Sequence, residues 1–255
     1  MANRSYTARA IVIKKTKLGE TDLILTLLGE NGAQIRAVAK GARKPQSSFS
    51  SRLELYSYVE VLLHEGKKLA IISEAKLIDA HEQIRHDFEL ASTAACIAEF
   101  LAKSTEEDLE EPQLFEMTRK AFDLLSKTER PSDLGLCAAF LIKACAFLGF
   151  GPQLDTCSLC GKTVSTETGS YLHFSLEDGG LLCPACALKR ETLMVKAQTI
   201  AWQRVLLRST FETILDKDIP QECQIEIFQL LKQWINYHLG AQIKSIDFLL
   251  AELRA

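Results

Sequence analysis

The pattern of hydrophobic residues divides the chain near residue 80, where its period changes. Before that point, short runs rich in β-branched residues are separated by turns that contain glycine, which is typical of β-strands. These runs occupy residues 8–13, 23–28, 34–40, 56–63 and 69–73. Five short strands within about 75 residues favour a small barrel, and the five-stranded OB-fold is the architecture that best fits this size.

Beyond residue 80, apolar residues recur every three or four positions, as they do on the buried face of an α-helix. Helices are predicted at residues 81–103, 112–125, 131–148, 192–215, 221–239 and 244–253. The third of these carries only two charged residues, so we expect it to be the buried centre of a helical body. The acidic stretch 106–111 is interpreted as a solvated loop before the second helix, and a partner-binding tail is the alternative.

These patterns predict an α+β protein with several domains. The expected parts are an OB-fold β-barrel at residues 1–80, an all-α domain formed by 81–152 and 191–255, and a zinc finger at 153–190 inserted into that domain. The insertion is distinct because it lacks helical periodicity and contains the closely spaced cysteine pairs of the chain.

Two CxxC pairs in this insertion indicate a metal site. Their cysteines are Cys157, Cys160, Cys183 and Cys186, with 22 residues between the pairs. A gap of two residues lets both sulfurs of a pair reach one ion at about 2.3 Å, and two pairs complete a tetrahedral shell. We therefore predict one structural Zn²⁺ ion, because four thiolates leave no position for an activated water. A β-hairpin through residues 171–174 would accommodate the spacer.

Redox chemistry and simple burial are the alternatives to a metal at these cysteines. A redox dithiol of the thioredoxin type should open a helix after a strand in a βαβ unit, and the pattern does not indicate one. Burial as small hydrophobic residues does not explain two pairs of equal spacing, although it is the better account of Cys96, Cys137, Cys145 and Cys223. The five histidines are scattered and indicate no second metal site, and His173, between the pairs, is the one alternative ligand.

Charge is distributed unevenly along the chain. The formal net charge is −3, yet residues 1–52 carry ten basic and three acidic side chains, so the first module is strongly basic and the rest is acidic. Basic residues neutralise phosphates and release counterions, which favours DNA binding without sequence preference over a merely solvated surface. The predicted DNA-binding residues are Lys14, Lys15, Lys17, Arg36, Lys40, Arg43, Lys44 and Arg52. Nearby aromatic residues, Phe49, Tyr56 and Tyr58, could stack on bases, but core packing is favoured for each.

Other classes of protein receive little support from the sequence. No segment has the length and apolar character of a membrane span or a signal peptide, so we expect a cytoplasmic protein with no membrane partner. Motifs for nucleotide binding, serine hydrolysis or zinc proteolysis are missing, so we expect no enzymatic activity and no small-molecule substrate.

The order of these parts resembles the RecO family of recombination mediators. Three stretches carry the resemblance: residues 10–24 with 38–44, then 148–161 with its Cys157-x-x-Cys160-Gly161 motif, and finally 239–249 with Leu239-Gly240 and Lys244 to Leu249. Each stretch is weak alone, but their order and separation are specific, and together they cover essentially the whole chain.

The resemblance implies more than the residues themselves indicate. Proteins of this family have an N-terminal OB-fold and a helical domain that often contains a zinc module. They bind single- and double-stranded DNA, anneal complementary strands and, with RecR, help load RecA onto strands covered by single-strand DNA-binding protein, in the RecF pathway and without nucleotide hydrolysis. The resemblance also implies a bacterial, nucleoid-associated protein whose DNA contacts include Lys40, Arg43 and Lys44. The alternative is a zinc-ribbon scaffold that binds RNA or protein.

Overall fold

The computed structural model describes residues 5–49, 51–127, 134–165 and 170–254. Contacts within the chain define two compact units, Met1–Ser132 and Asp133–Ala255. Among the described residues, no helix combines the length and the apolar character that a membrane crossing requires.

The first unit begins with a closed five-stranded barrel of OB-fold topology, as the sequence predicts. Around the barrel the strands follow the order β1-β2-β3-β5-β4, and only the β3–β5 pair is parallel. Alternate apolar residues of these strands, among them Val12, Leu25 and Val61, fill the interior. The strands are β1 (Ser5–Leu18), β2 (Asp22–Gly29), β3 (Gln34–Ala39), β4 (Tyr58–His64) and β5 (Ala70–Asp79).

A β-bulge in the long first strand changes the direction of its side chains. Val12 pairs with Leu27 of the antiparallel strand β2 and faces the core. Lys14, two residues later on β1, pairs with Thr26, which is the residue next to Leu27 on β2. Because β1 advances two residues while β2 advances one, Lys14 faces outward although it lies two positions after an inward residue. The bulge therefore makes Lys14 part of the outer surface.

In the described part of the first unit, three helices follow the barrel: α1 (Glu82–His86), α2 (Phe88–Ser104) and α3 (Pro112–Leu125). The single helix predicted at 81–103 is wrong in one respect, because the chain is extended at Asp87 and two helices result. Contacts group these three helices with the barrel in one unit, Met1–Ser132. This division differs from the predicted domain limits at 80, 152 and 190, which stay a prediction.

Among its described residues, the second unit contains five further helices outside the insertion. They are α4 (Leu134–Phe147), α6 (Ala197–Arg208), α7 (Phe211–Leu215), α8 (Gln221–Leu239) and α9 (Lys244–Glu252). Helix α4 is the buried central helix that the sequence predicts, and the first three positions of that prediction, 131–133, lie outside the described residues. The helix predicted at 192–215 is wrong at its start, where a strand precedes α6, and in its continuity. Thr210 starts a separate helix by accepting a hydrogen bond from the Thr213 N–H, although the predicted end at 215 agrees with the end of α7.

The insertion forms a small antiparallel sheet and a one-turn helix. Its elements are β6 (Tyr171–Ser175), β7 (Gly180–Leu182), α5 (Pro184–Ala187) and β8 (Leu193–Lys196). The sheet order is β7-β6-β8, so the predicted hairpin through 171–174 is confirmed and β8 is added from the segment predicted as helix. Pairing with β6 explains this difference, because an exposed strand edge can recruit an apolar segment whatever its local helical pattern.

Candidate nucleic-acid interface and metal centre

One row of basic residues crosses the outer face of the barrel. Thr26 of β2 pairs with Lys14 of β1 on one side and with Arg36 of β3 on the other. Residues directly opposite on neighbouring strands share a face, so the two cations flank a small, buried threonine at a separation of about 10 Å, two strand spacings. Both basic side chains are exposed. We call this surface the β1–β3 face.

Four further cations lie at the end of the same three strands. Lys17, Leu23 and Ala39 are paired across β1, β2 and β3, and Lys40 follows Ala39 directly. The chain then turns at Gly41, whose φ of 67° lies in the left-handed region that glycine adopts readily. The exposed residues of this turn cluster are Lys17, Lys40, Arg43 and Lys44.

Hydrogen bonds hold the turn cluster against the turn between β1 and β2. The Arg43 backbone N–H donates to the Thr21 carbonyl at 2.9 Å, and the Arg43 guanidinium donates to the Gly19 carbonyl at 3.0 Å. The Gly41 N–H donates to Asp22 Oδ1 at 2.8 Å. The cations are therefore presented on two turns that are fixed to each other.

Asp22 is kept ionised at the centre of this arrangement. The Gly41 N–H and then the Thr21 hydroxyl, which both donate to the carboxylate, hold the pKa of Asp22 below its usual value. Desolvation opposes this effect, and the positive charges of Lys40 and Lys44 make smaller contributions that lower the pKa of Asp22 further. A single carboxylate thus anchors the turn without balancing the charge of the whole cluster.

Two of the predicted DNA-binding residues make contacts that set them apart. The Lys15 ammonium lies 2.7 Å from a carboxylate oxygen of Glu54, and the Lys15 side chain is 22% exposed. The Arg52 guanidinium donates to the Ala75 carbonyl of β5 at 3.2 Å, so this residue is next to a different part of the barrel wall. Six of the eight predicted residues are therefore exposed on β1–β3 and their turns, whereas Lys15 on β1 is paired with Glu54 and Arg52 lies beside β5.

Two lysines outside the predicted DNA-binding set lie near Arg36. Lys67 and Lys68, in the turn between β4 and β5, line a cleft of about 640 Å³ together with Arg36 and Tyr6. The parallel pairing of Ala37 with Ala70 brings that turn beside β3. Their stretch, 53–80, contains more acidic than basic residues, so sequence charge alone could not identify them. The cleft also contains four carboxylates.

The aromatic residues considered for base stacking belong mainly to the interior. Tyr56 is 5% exposed and its ring lies 5.3 Å from that of Phe122. Tyr58 contacts the ring of Phe115 at 5.7 Å, and its hydroxyl donates to Glu30. Core packing, the favoured interpretation, is confirmed for these two, whereas Tyr6 beside Lys67 is 40% exposed.

The second candidate site is a four-cysteine cluster in the insertion. The Sγ atoms of Cys157, Cys160, Cys183 and Cys186 all lie within 4.8 Å of one another. Cys160 Sγ and Cys183 Sγ are 3.7 Å apart. Tetrahedral coordination with bonds of about 2.3 Å requires sulfurs about 3.8 Å apart, so this set fits a metal ion such as zinc. His173 is instead next to Thr192, with 3.2 Å between Nδ1 and Oγ1.

Backbone hydrogen bonds shape the turn at the first cysteine pair. The Gly161 N–H donates to the Cys157 carbonyl at 2.9 Å, and the Cys157 N–H donates to the Lys162 carbonyl at 2.8 Å. Gly161 has a φ of 72°, which a residue with a side chain adopts only with strain. Glycine at position 161, directly after the first pair, therefore permits this turn.

The electrostatics of the cluster favour a bound cation. Burial opposes ionisation of Cys157, but the N–H groups of Cys183, Cys160 and Leu159 outweigh it and lower the pKa of Cys157 to about 6. Hydrogen bonding to Cys183, Cys160 and Cys157 raises the pKa of Cys186 to about 12. Negative charge on the first sulfurs therefore opposes ionisation of the last, and a divalent cation would remove that opposition.

The remaining cysteines belong to the interior. Cys96, Cys137, Cys145 and Cys223 are buried, as predicted. Burial raises the pKa of the Cys145 thiol, which keeps this thiol protonated and unreactive.

An OB-fold barrel with basic turns, followed by helices and a four-cysteine cluster, defines a multidomain OB-fold protein with a metal-binding insertion. Comparison with known families is consistent with this class. The family model "Recombination protein O N terminal" matches residues 1–81, and "Recombination protein O C terminal" matches residues 85–247. The chain therefore belongs to the RecO family.

Similar proteins are named DNA repair protein RecO, and the chain matches them over nearly their full length. The chain is 31% identical to DNA repair protein RecO of Bifidobacterium adolescentis, over 96% of this chain and 98% of that protein. It is also 31% identical to DNA repair protein RecO of Frankia casuarinae over the same shares, and 29% identical to that of Desulforamulus reducens over 96% and 93%. These relatives support a role in DNA repair.

Proposed function

We propose that this protein is a non-enzymatic recombination mediator that binds single- and double-stranded DNA through the β1–β3 face and the turn cluster. The observation that carries the proposal is the convergence of six exposed cations on three adjacent strands and their turns. OB-folds bind oligonucleotides on the face of strands 2 and 3 and on the loops that follow strands 1 and 4. Arg36 lies on the third strand of that face, and Lys67 with Lys68 lie in the loop after strand 4. Lys14 and Lys17 lie on the neighbouring first strand, and Lys40, Arg43 and Lys44 lie in the loop after strand 3.

This binding should be independent of sequence. Lysine and arginine contact phosphates and release counterions, so affinity falls with rising salt, with a slope of about −0.7 per phosphate on single strands. Tyr56 and Tyr58, which could have stacked on bases, pack against Phe122 and Phe115. The proposed interface therefore consists mainly of lysine ammonium and arginine guanidinium groups.

The mediator activity is proposed from membership of the RecO family. The barrel would hold strands while their bases stay free to pair, which allows annealing, and the helical part would contact RecR and single-strand DNA-binding protein during loading of RecA. No step in this scheme hydrolyses a nucleotide, and the activity would take place in the bacterial cytoplasm at the nucleoid.

The metal proposed for the four-cysteine cluster is one Zn²⁺ ion with a structural role. Four thiolates at tetrahedral separation suit this ion and fill its coordination shell. Comparable small sites bind zinc with a free energy on the order of 10–16 kcal/mol, which would fold an insertion that has little core of its own.

The double variant Lys40→Glu/Arg43→Glu tests the DNA interface. We expect weaker binding to strands of any sequence and a smaller salt slope, because two phosphate contacts are replaced by repulsion. The measurement is a fluorescence anisotropy titration of labelled oligonucleotides at several salt concentrations. Lys217→Glu/Arg254→Glu, which changes the net charge equally in the other unit, is the matched control. Unchanged affinity of the first variant at low salt would reject the interface.

A scaffold that binds protein or RNA through the zinc-binding insertion is the second candidate. The observation that favours it is the exposure of Leu159 and Leu188, at 47% and 84%, beside the two cysteine pairs. Mixing labelled complementary strands with the protein separates the two functions, because a scaffold has no reason to accelerate annealing.

A further inference from the structure

Three side chains of metal-ligand type converge in the first unit, outside the two sites described above. Asp79 ends β5, His81 lies in the link to α1, and Asp123 belongs to α3. His81 Nε2 is 2.9 Å from Asp123 Oδ1 and 4.0 Å from Asp79 Oδ2. One ligand atom from each residue lies within 4.8 Å of the other two.

Each of these side chains is fixed by a second contact on its other polar atom. His81 Nδ1 lies 2.8 Å from the Tyr56 carbonyl oxygen, which can only accept, so this nitrogen carries a proton. Asp79 Oδ1 accepts the His81 backbone N–H at 2.9 Å. Asp123 Oδ2 accepts from the Arg119 guanidinium at 3.0 Å. Contacts of this kind orient the ligands of metal sites and leave their coordinating atoms directed to one point.

The atoms that remain are all acceptors when His81 is neutral. With the proton on Nδ1, the Nε2 lone pair faces a carboxylate oxygen at hydrogen-bond distance, and a second carboxylate is close by. Either a second proton on the ring or a metal ion resolves this conflict. Imidazole with its proton on Nδ1 is the form of histidine that binds a metal through Nε2, and the Tyr56 carbonyl fixes this tautomer.

The two arginines near the three side chains have other partners, and two of the three side chains are accessible to solvent. Arg119 is shared between Asp123 and Glu116, whose carboxylate is 2.8 Å away. The guanidinium of Arg85 donates to the carbonyls of Leu55 and Ala80. Asp79 is 53% exposed and Asp123 is 27% exposed at their side chains, so an ion can enter from solvent.

We propose that Asp79, His81 and Asp123 bind one divalent transition-metal ion through one imidazole nitrogen and two carboxylate oxygens, with water completing the shell. This mixture of ligands suits Mn²⁺, and also Zn²⁺, which accepts nitrogen and oxygen as well as sulfur ligands. The ion links the end of β5 to α3 and so stabilises the first unit. The site is independent of the four-cysteine cluster.

Manganese is the probe, because its preference for oxygen and nitrogen ligands keeps it out of the thiolate cluster. The full-length protein, carrying one equivalent of zinc, is titrated with Mn²⁺ while electron paramagnetic resonance follows the free ion. We expect one Mn²⁺ bound per chain and a higher melting temperature in its presence. Asp79→Asn and Asp123→Asn should each weaken Mn²⁺ binding by about tenfold or more.

Glu82→Gln is the matched control, because it removes one negative charge from an exposed residue close in sequence and should leave the Mn²⁺ affinity unchanged. Asp79→Asn replaces a half-exposed side chain and keeps an oxygen to accept the His81 N–H, so the fold should persist. Absence of Mn²⁺ binding to the unmodified chain at millimolar concentration would overturn the proposal. The proposal would also be overturned if Asp79→Asn and Asp123→Asn both bound Mn²⁺ as tightly as the unmodified chain.

Discussion

At the scale of single residues, the contacts of each lysine or arginine decide whether its charge is available to DNA. Lys14 and Lys15 are neighbours in the sequence, yet Lys14 is exposed on the β1–β3 face and Lys15 is paired with Glu54. Arg36 is exposed in the same row as Lys14, whereas Arg9 is paired with Glu60 at 2.9 Å. A count of positive charges in the first 52 residues therefore overstates the charge that the surface presents.

Arg36→Ala tests this distinction. We expect a weaker affinity for single strands and a salt slope reduced by about 0.7, which corresponds to one phosphate contact. Lys15→Ala, the matched control, should change the slope little because its charge is already balanced. The measurement is the dependence of affinity on salt concentration for each variant. Equal losses from both substitutions would show that the ion pair with Glu54 opens when DNA binds.

At the scale of secondary structure, one residue can divide an apparently continuous helix. Asp87 has an extended backbone, and its carboxylate accepts a hydrogen bond from the Leu90 N–H at 3.0 Å, which caps the N-terminus of α2. Its own N–H donates to the Gln83 carbonyl and closes α1. Aspartate is among the preferred residues at a helix start, so the sequence contained a signal for this break that the hydrophobic period obscured.

Asp87→Ala should destabilise the first unit by about 1 kcal/mol, because the orphan N–H of Leu90 loses its acceptor. Asp87→Asn keeps an acceptor oxygen and should stay close to the unmodified protein. Urea unfolding followed by circular dichroism measures both differences. If the alanine and asparagine variants unfold at the same denaturant concentration, the cap does not contribute to stability.

At the scale of the whole molecule, the four-cysteine cluster joins two parts of the insertion that are separated by 22 residues. The neighbouring sheet is small, with strands of five, three and four residues. Metal binding should therefore supply much of the stability of this insertion.

Removing the metal tests its role. The purified chain should contain one zinc ion, measured by elemental mass spectrometry, and its cluster thiols should react with a thiol reagent only after a chelator is added. Cys160→Ser should lose zinc, whereas Cys223→Ala, outside the cluster, should retain it. Four cluster thiols that react freely without a chelator would instead favour a thiol oxidoreductase.

The sequence by itself determined the barrel strands, most of the helices and the metal-binding cysteines. Alternation and helical period report which face of a segment is buried, and a two-residue spacing brings two sulfurs together within one turn. These signals are local, so they can be read without knowledge of the rest of the chain. The order of these parts carried the resemblance to the RecO family.

Only the tertiary structure decided which distant side chains meet. The bulge in β1 exposes Lys14, the pairing of β3 with β5 brings Lys67 and Lys68 to Arg36, and packing places Asp123 next to His81, 42 residues away. Strand register, irregular pairing and helix packing depend on contacts between segments far apart in the chain. The availability of a charge, or the convergence of three ligands, is a property of those contacts and not of any local pattern.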